Sequence, residues 1–502
     1  MAKLVVVSNR VSLPSRSGSR AGGLEVALRA VFRDHPGIWF GWSGRVVPHQ
    51  SIETRTIAAN NQQFVVTDLT EEDHSEYYNG FANRVLWPIL HYRLDLAEYT
   101  LRDLTGYLRV NEHFADELHK VLAPDDLVWV HDYHLIPLAK ALRDRGHQNK
   151  IGFFLHTPLP PMEILTAIPN HERLFPTLCH YDLVGFQTET DGTNFARYLI
   201  CECKLPSRDL QTFLANGRSV QLGVFPVGVA VDEIIQWAER GAESSLVRRV
   251  VNSLSGRAML IGVDRLDYSK GIVARLESFE RFLLEKPDWQ GRITFLQIAP
   301  RSRFKIREYA EIEAMVSATA GRINGRFGQP DWTPIRYVNQ SHSRRTLAGL
   351  YRCARAGLVT PLRDGMNLVA KEYVAAQNPD DPGVLILSRF AGAARECTGA
   401  LLVNPYDTDT AAEAIAHALT MSQAERRDRY QATIRNLRLN DIADWGKKFL
   451  TQLCDTNAEL SLFSRLPVTA APPGRPAEDA RSAAFPDDGR SAGTRARRYS
   501  AS

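Results

Sequence analysis

Apolar runs of strand length alternate with helical patterns along almost the whole chain, and no other feature narrows the fold as much. KLVVVSN is followed by a helical pattern near 23 to 33 and DLVWVH by LIPLAKALRDRG; KIGFFLH and YDLVGFQ then lead to a helix near 190 to 202. The rhythm repeats: AMLIGVDR precedes IVARLESFERFLLEKP, RITFLQIA precedes a long helix near 306 to 321, and IRYVN, RAGLVTP, GVLILS and ALLVNP follow. Strands that alternate with helices build mostly parallel, doubly wound sheets. FPVGVAVDEI, near 225 to 234, reads as the joint between two such sheets. The spacing therefore predicts an α/β chain of two Rossmann-like, doubly wound domains facing across a deep cleft, 1–228 and 229–455; the last helix is expected to pack back on the first domain. Ligands of these sheets sit at the carboxyl ends of the strands, so the loops after the strands are where chemistry is expected.

At 502 residues, 44% of them apolar and 24% charged, the chain has material for two cores of a globular enzyme. A formal charge of +4, spread without basic blocks in the body of the chain, favours neither nucleic acid nor an anionic membrane as partner, and leaves small anions open. MAKLVVVSNR has a short apolar run and no small-residue cleavage site, and no stretch approaches the roughly 18 apolar residues of a membrane span, so a cytoplasmic location is expected. The cysteines form no C-x-x-C pair, which suits free thiols in a reducing compartment; the C-x-C of Cys201 and Cys203 leaves metal or redox chemistry as the lesser alternative. Residues 467–502, proline-rich with scattered arginines and little to bury, read as a disordered tail.

TPLRDGMNLVAKEYVAAQ, residues 360 to 377, combines a loop acid, Asp364, with a helix beginning near Asn367 or Leu368. Such a start leaves the backbone N–H groups of about Asn367 to Ala370 unpaired and positive in character, fit to hold a phosphate. Glu372, one turn further and on the face of Leu368, can accept both hydroxyls of a ribose, and Asp364 those of a sugar beyond the diphosphate. Alternatively, Asp364 caps the helix and Glu372 is solvated. In VDRLDYSKGI, Arg265 and Lys270 fall on a strand-to-helix loop of the same domain, where two cations neutralise a diphosphate or simply form surface ion pairs. In the first half, Arg10 ends a strand, and Gly22 and Gly23 at a helix start permit close backbone approach, unless the loop is only flexible. Arg303, in APRSRFK, is placed to meet Arg10 across the cleft; two cationic sets imply two phosphorylated ligands.

VHDYHLIP ends a strand in His131, Asp132 and His134, and FFLHTPLPP ends another in His156. These residues invite a metal site, yet H-E-x-x-H is absent and the same groups bind sugar hydroxyls equally well. YYNGFANRVLWPILHYR, 77 to 93, reads as core, with Tyr78 and Trp87 able to flank a sugar. LLVNPYDTDTA mimics the D-x-D start of an aspartyl phosphatase, but too little chain follows, so an N-cap is expected there.

Taken together, VVVSNR, AGGL, WFGWSG, EYYNGFANRVLWP, HYRLD, VHDYHL, GFFLHTPLP, DRLDYSKG, AGRINGRFG and TPLRDGMNLVAKEYVAAQ resemble the trehalose-6-phosphate synthases, retaining glycosyltransferases of the GT-B fold, from KLVVVSNR to about residue 455. The resemblance implies glucose transfer from UDP-glucose to glucose 6-phosphate without metal or cofactor, in a homo-oligomer (dimer or tetramer). Carried over by motif, Arg10, Tyr78, Trp87 and Arg303 meet the acceptor phosphate and Asp132 the acceptor hydroxyls. Gly22, Gly23, Arg265 and Lys270 meet the donor diphosphate, Leu368, Val369, Ala370, Lys371 and Glu372 form the donor helix start, and Asp364 and His156 hold the transferred glucose. SHSRR departs from the pattern: His342 stands where bacterial members carry an aromatic residue near the uracil. A non-catalytic subunit that senses sugar phosphates, or a retaining transferase with another acceptor, are the alternatives.

Overall fold

In the computed structural model, residues 3–13, 23–59, 62–301 and 307–456 are described. Nine strands of the first half are β1 (Leu4–Arg10), β2 (Gly37–Val46), β3 (Thr54–Ala59), β4 (Gln62–Leu69), β5 (Leu127–His131), β6 (Ile151–Phe154), β7 (Leu183–Phe186), β8 (Thr212–Ala215) and β9 (Arg218–Val224). They form one sheet in the order β3-β4-β2-β1-β5-β6-β7-β9-β8, parallel except where β3 and β8 pair antiparallel at the two edges. The second half supplies β10 (Ala258–Val263), β11 (Ile293–Ile298), β12 (Ile335–Val338), β13 (Ala356–Val359), β14 (Val384–Ser388) and β15 (Leu401–Val403). Their order, β12-β11-β10-β13-β14-β15, is all parallel and follows the 3-2-1-4-5-6 winding of a dinucleotide-type sheet.

Alternation along β1 shows how one strand serves two layers. Val5 and Val7 face one buried cluster, with Phe40 and Phe114, whereas Leu4 and Val6 face another, with Trp39 and Trp129. That second cluster runs on without a break through Phe225, Val227 and Val229 to Met259 and Ile261 beneath the second sheet. The final helix, Ile442–Asp455, packs against the first sheet: Phe449 stacks on Trp129 at 4.4 Å and 11°, and Trp445 lies 4.8 Å from the same ring. Glycine makes this fit possible, since a Cβ at Gly152 or Gly185 would stand 2.7 or 2.8 Å from the Phe449 ring.

Parallel strands flanked by helix caps were legible from the sequence; the edges β3 and β8 and the strands β2, β4 and β9 were not. Helix starts are fixed as local chemistry predicts: Thr188, Ser343 and Asp407 each accept a first-turn N–H. Asp407 is thus the cap of Thr408–Thr420, as expected for the D-x-D sequence. The long helix after β11 runs Arg307–Phe327, beyond the expected end near 321. The 77–93 segment is helical as far as Leu90, and His74–Leu86 forms a 13-residue π-helix, a wide winding that clusters at functional sites.

Candidate active site

Each sheet reverses strand order at one place, between β1 and β5 in the first and between β10 and β13 in the second. Charged residues leave those strand ends together. Arg275, one turn into the helix after β10, is buried, and its guanidinium donates to Asp264 Oδ2 (2.6 Å), Thr360 Oγ1 (2.9 Å), Gln297 Oε1 (3.2 Å) and the Lys270 carbonyl (3.1 Å). One enclosed cation therefore ties the 264–271 loop to the end of β13. Lys270 is buried and its ammonium pairs with Asp364, which also accepts from Asn367 Nδ2 at 3.0 Å. Arg265 is exposed on the same loop.

Asn367, at φ 72°, caps the helix Leu368–Ala375 by accepting the Ala370 N–H at 3.3 Å. One alternative is excluded here and one expectation is corrected. The cap is Asn367 and not Asp364, because the shorter reach from residue 367 closes on the first turn; and the Ala370 N–H is taken, which leaves the start of the helix to Leu368 and Val369. Lys371 turns away from the site: its ammonium is fully buried and donates to the Val227 carbonyl (2.7 Å) and to Glu396 Oε2 (2.5 Å), so its side chain holds the joint between the sheets. Glu372 is half-buried and lines a shallow pocket with Leu368, Trp237 and Arg344. Burial pushes its carboxyl up, and Arg344 opposes that shift. The Arg344 guanidinium lies 5.8 Å over the Trp237 ring. His342, half-buried, immediately precedes the capping Ser343 of the helix that carries Arg344.

On the facing side Arg10, exposed at the end of β1, lies 5.7 Å over Trp42, whose ring is 6.0 Å from Tyr78. Tyr78 stacks on His134 at 5.9 Å and 12°. Asp132 adopts φ 75°, ψ 165°, a region that costs a non-glycine residue about 1–3 kcal/mol and concentrates at functional sites. Its N–H donates to the Phe154 carbonyl (2.8 Å) and its carboxylate accepts the His156 N–H (3.3 Å). His156 Nε2 lies 3.1 Å from His131 Nδ1, and burial lowers the His156 pKa to about 3, so the ring is neutral. Among the described residues no group of three or more His, Cys, Asp or Glu is placed to hold a metal ion.

The two sides interlock. Arg265 lies 5.7 Å over Trp87, Arg93 5.7 Å over Tyr268, and Arg363 3.7 Å over Tyr92 and 5.2 Å over Phe390. A Cβ on Gly365 would stand 2.1 Å from the His156 carbonyl oxygen, so glycine there lets the 360–367 loop touch the end of β6. His91 is buried at this seam with Nδ1 2.7 Å from the Trp87 carbonyl; burial, then the charge of Lys270, lower its pKa to about 4. The sequence reading missed His91, Tyr92, Arg275 and Arg363. The signal for Arg275 was a charge on the face of Ile272 and Leu276; the others sat inside motifs read for their neighbours. Gly22 and Arg303 lie outside the described residues, and Gly23 opens the helix Gly23–Asp34.

Two doubly wound sheets whose reversal points face each other, one bearing a cation and acid set at a helix start, define a glycosyltransferase of the GT-B fold. The family model of glycosyltransferase family 20 matches residues 3–455, and the chain belongs to that family. It is 50% identical over 456 residues to the trehalose-6-phosphate synthase of Sinorhizobium fredii, covering 90% of this chain and 98% of that protein. Among solved structures, it is similar to a UDP-forming α,α-trehalose-phosphate synthase from Burkholderia vietnamiensis (46% identity, TM-score 0.89, covering 92% of this chain and 98% of that one). It is also similar to such an enzyme from Burkholderia xenovorans in complex with glucose 6-phosphate (45% identity, TM-score 0.88, covering 90% and 100%). No described helix is long and apolar enough to cross a membrane.

Proposed function

We infer that the chain transfers glucose from UDP-glucose to glucose 6-phosphate with retention of configuration, giving α,α-trehalose 6-phosphate and UDP. One observation carries the reading: Arg265, Lys270 and Asp364 gather at the β10/β13 reversal beside the start of Leu368–Ala375, opposite Tyr78, Trp87, Asp132 and His156. The diphosphate rests on Arg265, Lys270 and the first-turn N–H groups, and Glu372 takes the ribose hydroxyls. Lys270 is already paired with Asp364. An arriving diphosphate draws that ammonium and frees the Asp364 carboxylate for the hexose, which His156 meets from the other sheet. Arg10 and Arg303 take the acceptor's phosphate, with Tyr78 and Trp87 beside it, and Asp132 takes acceptor hydroxyls.

The sequence shows no motif of a dedicated nucleophile or carboxylate pair, so a double displacement is not demanded. In this reading the acceptor hydroxyl attacks on the face that UDP leaves, the departing phosphate accepts the proton, and Arg265 and Lys270 hold the growing charge. The same reading divides the chain at 228/229 and places it in the cytoplasm as a homo-oligomer, a dimer or tetramer. Incubation of the pure protein with UDP-glucose and a panel of sugar phosphates, followed by mass spectrometry, tests it: a disaccharide monophosphate and UDP are expected with glucose 6-phosphate. Product with a different acceptor only, or no UDP release with any, would overturn it.

A further inference from the structure

His131 takes no part in the reading above, yet it is fully enclosed at the end of β5, directly behind His156. Its Nδ1 and His156 Nε2 are 3.1 Å apart, so one of the two carries the hydrogen and the other accepts it. Burial keeps both rings neutral. Two assignments are open: His131 Nδ1–H donates to His156, or His156 Nε2–H donates to His131.

The surroundings distinguish them. Among the described residues His131 Nε2 is buried with no hydrogen-bond partner. The rings nearest it include Trp129 (4.6 Å) and Trp445 (6.2 Å), whose indole nitrogens are themselves buried without a partner among the described residues. Indole nitrogen only donates, so neither ring can receive a proton from His131 Nε2. If His156 were the donor, His131 would carry its hydrogen on Nε2 and strand a buried N–H. If His131 is the donor, only a lone pair is left without a partner, which folded proteins tolerate better.

We propose that His131 is a positioning residue that donates its Nδ1–H to His156 Nε2 and thereby fixes His156 in the tautomer whose Nδ1–H faces the cleft. His156 Nδ1 is bonded to no described group and the residue retains partial exposure. The site thus presents a fixed N–H donor, and not a base, toward an oxygen of the transferred sugar. The catalytic consequence rests on the transferase reading; the tautomer does not.

The test has two arms on the full-length chain. With ¹⁵N-labelled histidine, long-range ¹H–¹⁵N correlation at neutral pH reads the tautomer of His156, its signal assigned by loss in His156→Asn. Protonation at Nδ1 with bare Nε2 is expected, and the reverse overturns the proposal. The second arm compares His131→Asn, whose amide can still donate from near the Nδ1 position, with His131→Leu, which cannot. His131→Leu is expected to lose on the order of a hundredfold in kcat with the KM for UDP-glucose within about threefold, and His131→Asn to recover most of that loss. Equal losses in two folded variants would refute the positioning role. If the unaltered chain releases no UDP with any acceptor, the transferase reading fails, and the correlation spectrum alone decides the tautomer.

Discussion

Arg265 is exposed, with its guanidinium over the Trp87 ring, so its charge is available to a ligand at little cost to folding. Removing one contact to developing negative charge commonly raises a barrier by about 2.7–4 kcal/mol. Arg265→Ala should therefore lose on the order of a hundredfold or more in kcat with a thermal midpoint lowered by no more than a few degrees for the lost Trp87 contact; unchanged turnover in steady-state assays would end the leaving-group argument. Glu372 makes a prediction of opposite kind. Burial raises its folded-state pKa, so the folded chain holds that proton more tightly than the unfolded chain. The contribution favours folding at low pH and becomes a penalty as pH rises from the ordinary glutamate range through the raised value. Glu372→Gln should melt higher than the parent at neutral pH, with the gain vanishing near about pH 4, while its UDP affinity falls. Calorimetric melts across that range check the first claim and titration with UDP the second. A gain that grew toward acid would contradict the sign argued here.

At the scale of elements, β1, β5, β6 and β7, all six strands of the second sheet and the helix after β13 were readable because each is a buried run with a cap or turn signal of its own, whereas β2, β4 and β9, each next to another strand in the chain, lacked the strand-helix rhythm to mark them. β3 and β8 were not, since an antiparallel edge strand with one wet face carries little apolar signal; β3 alternates exposed and half-buried residues along its length. The π-helix was hidden for another reason: its pitch is set by packing of Tyr77, Phe81 and Val85 into the first core, which no local pattern encodes. The donor loop was legible as chemistry but not as an interface, because Gly365 signals only permissiveness until the His156 carbonyl is seen against it. Gly365→Ala should push that loop off the end of β6, since its Cβ would sit 2.1 Å from backbone oxygen that has no rotamer to escape into. The expected result is a fall in kcat together with lower thermal stability; equal activity and stability would mean that the two loops separate freely during turnover.

For the whole molecule, what the sequence could not disclose is how its halves are held together, because those contacts join residues far apart in the chain through side-chain geometry alone. The aromatic stretch 77–93 reads as core, and much of it is; but its end, Trp87 to Arg93, is a face that meets Arg265, Tyr268 and Arg363 in three cation–π contacts running in both directions. Such a contact is worth about 1–2 kcal/mol when partly desolvated. Tyr92 also stands at φ 63°, an unfavourable setting for a bulky side chain that its packing against Arg363 helps to hold. Closing the site must exclude water that would otherwise hydrolyse the donor, so the closing equilibrium sets how much substrate binding is used merely to bring the loops together. Losing about 1–2 kcal/mol shifts that equilibrium by a factor of about 5 to 30. Tyr92→Leu should therefore raise the apparent KM of both substrates several-fold while kcat at saturation stays near the parent value, as expected when only the competent fraction falls. In small-angle scattering the ligand-free variant should be more expanded than the parent, and UDP with glucose 6-phosphate should bring both to the same compact size. If the variant instead lost kcat with unchanged KM and unchanged scattering, Tyr92 would be acting on the chemistry and the latch would have to be sought elsewhere along the seam.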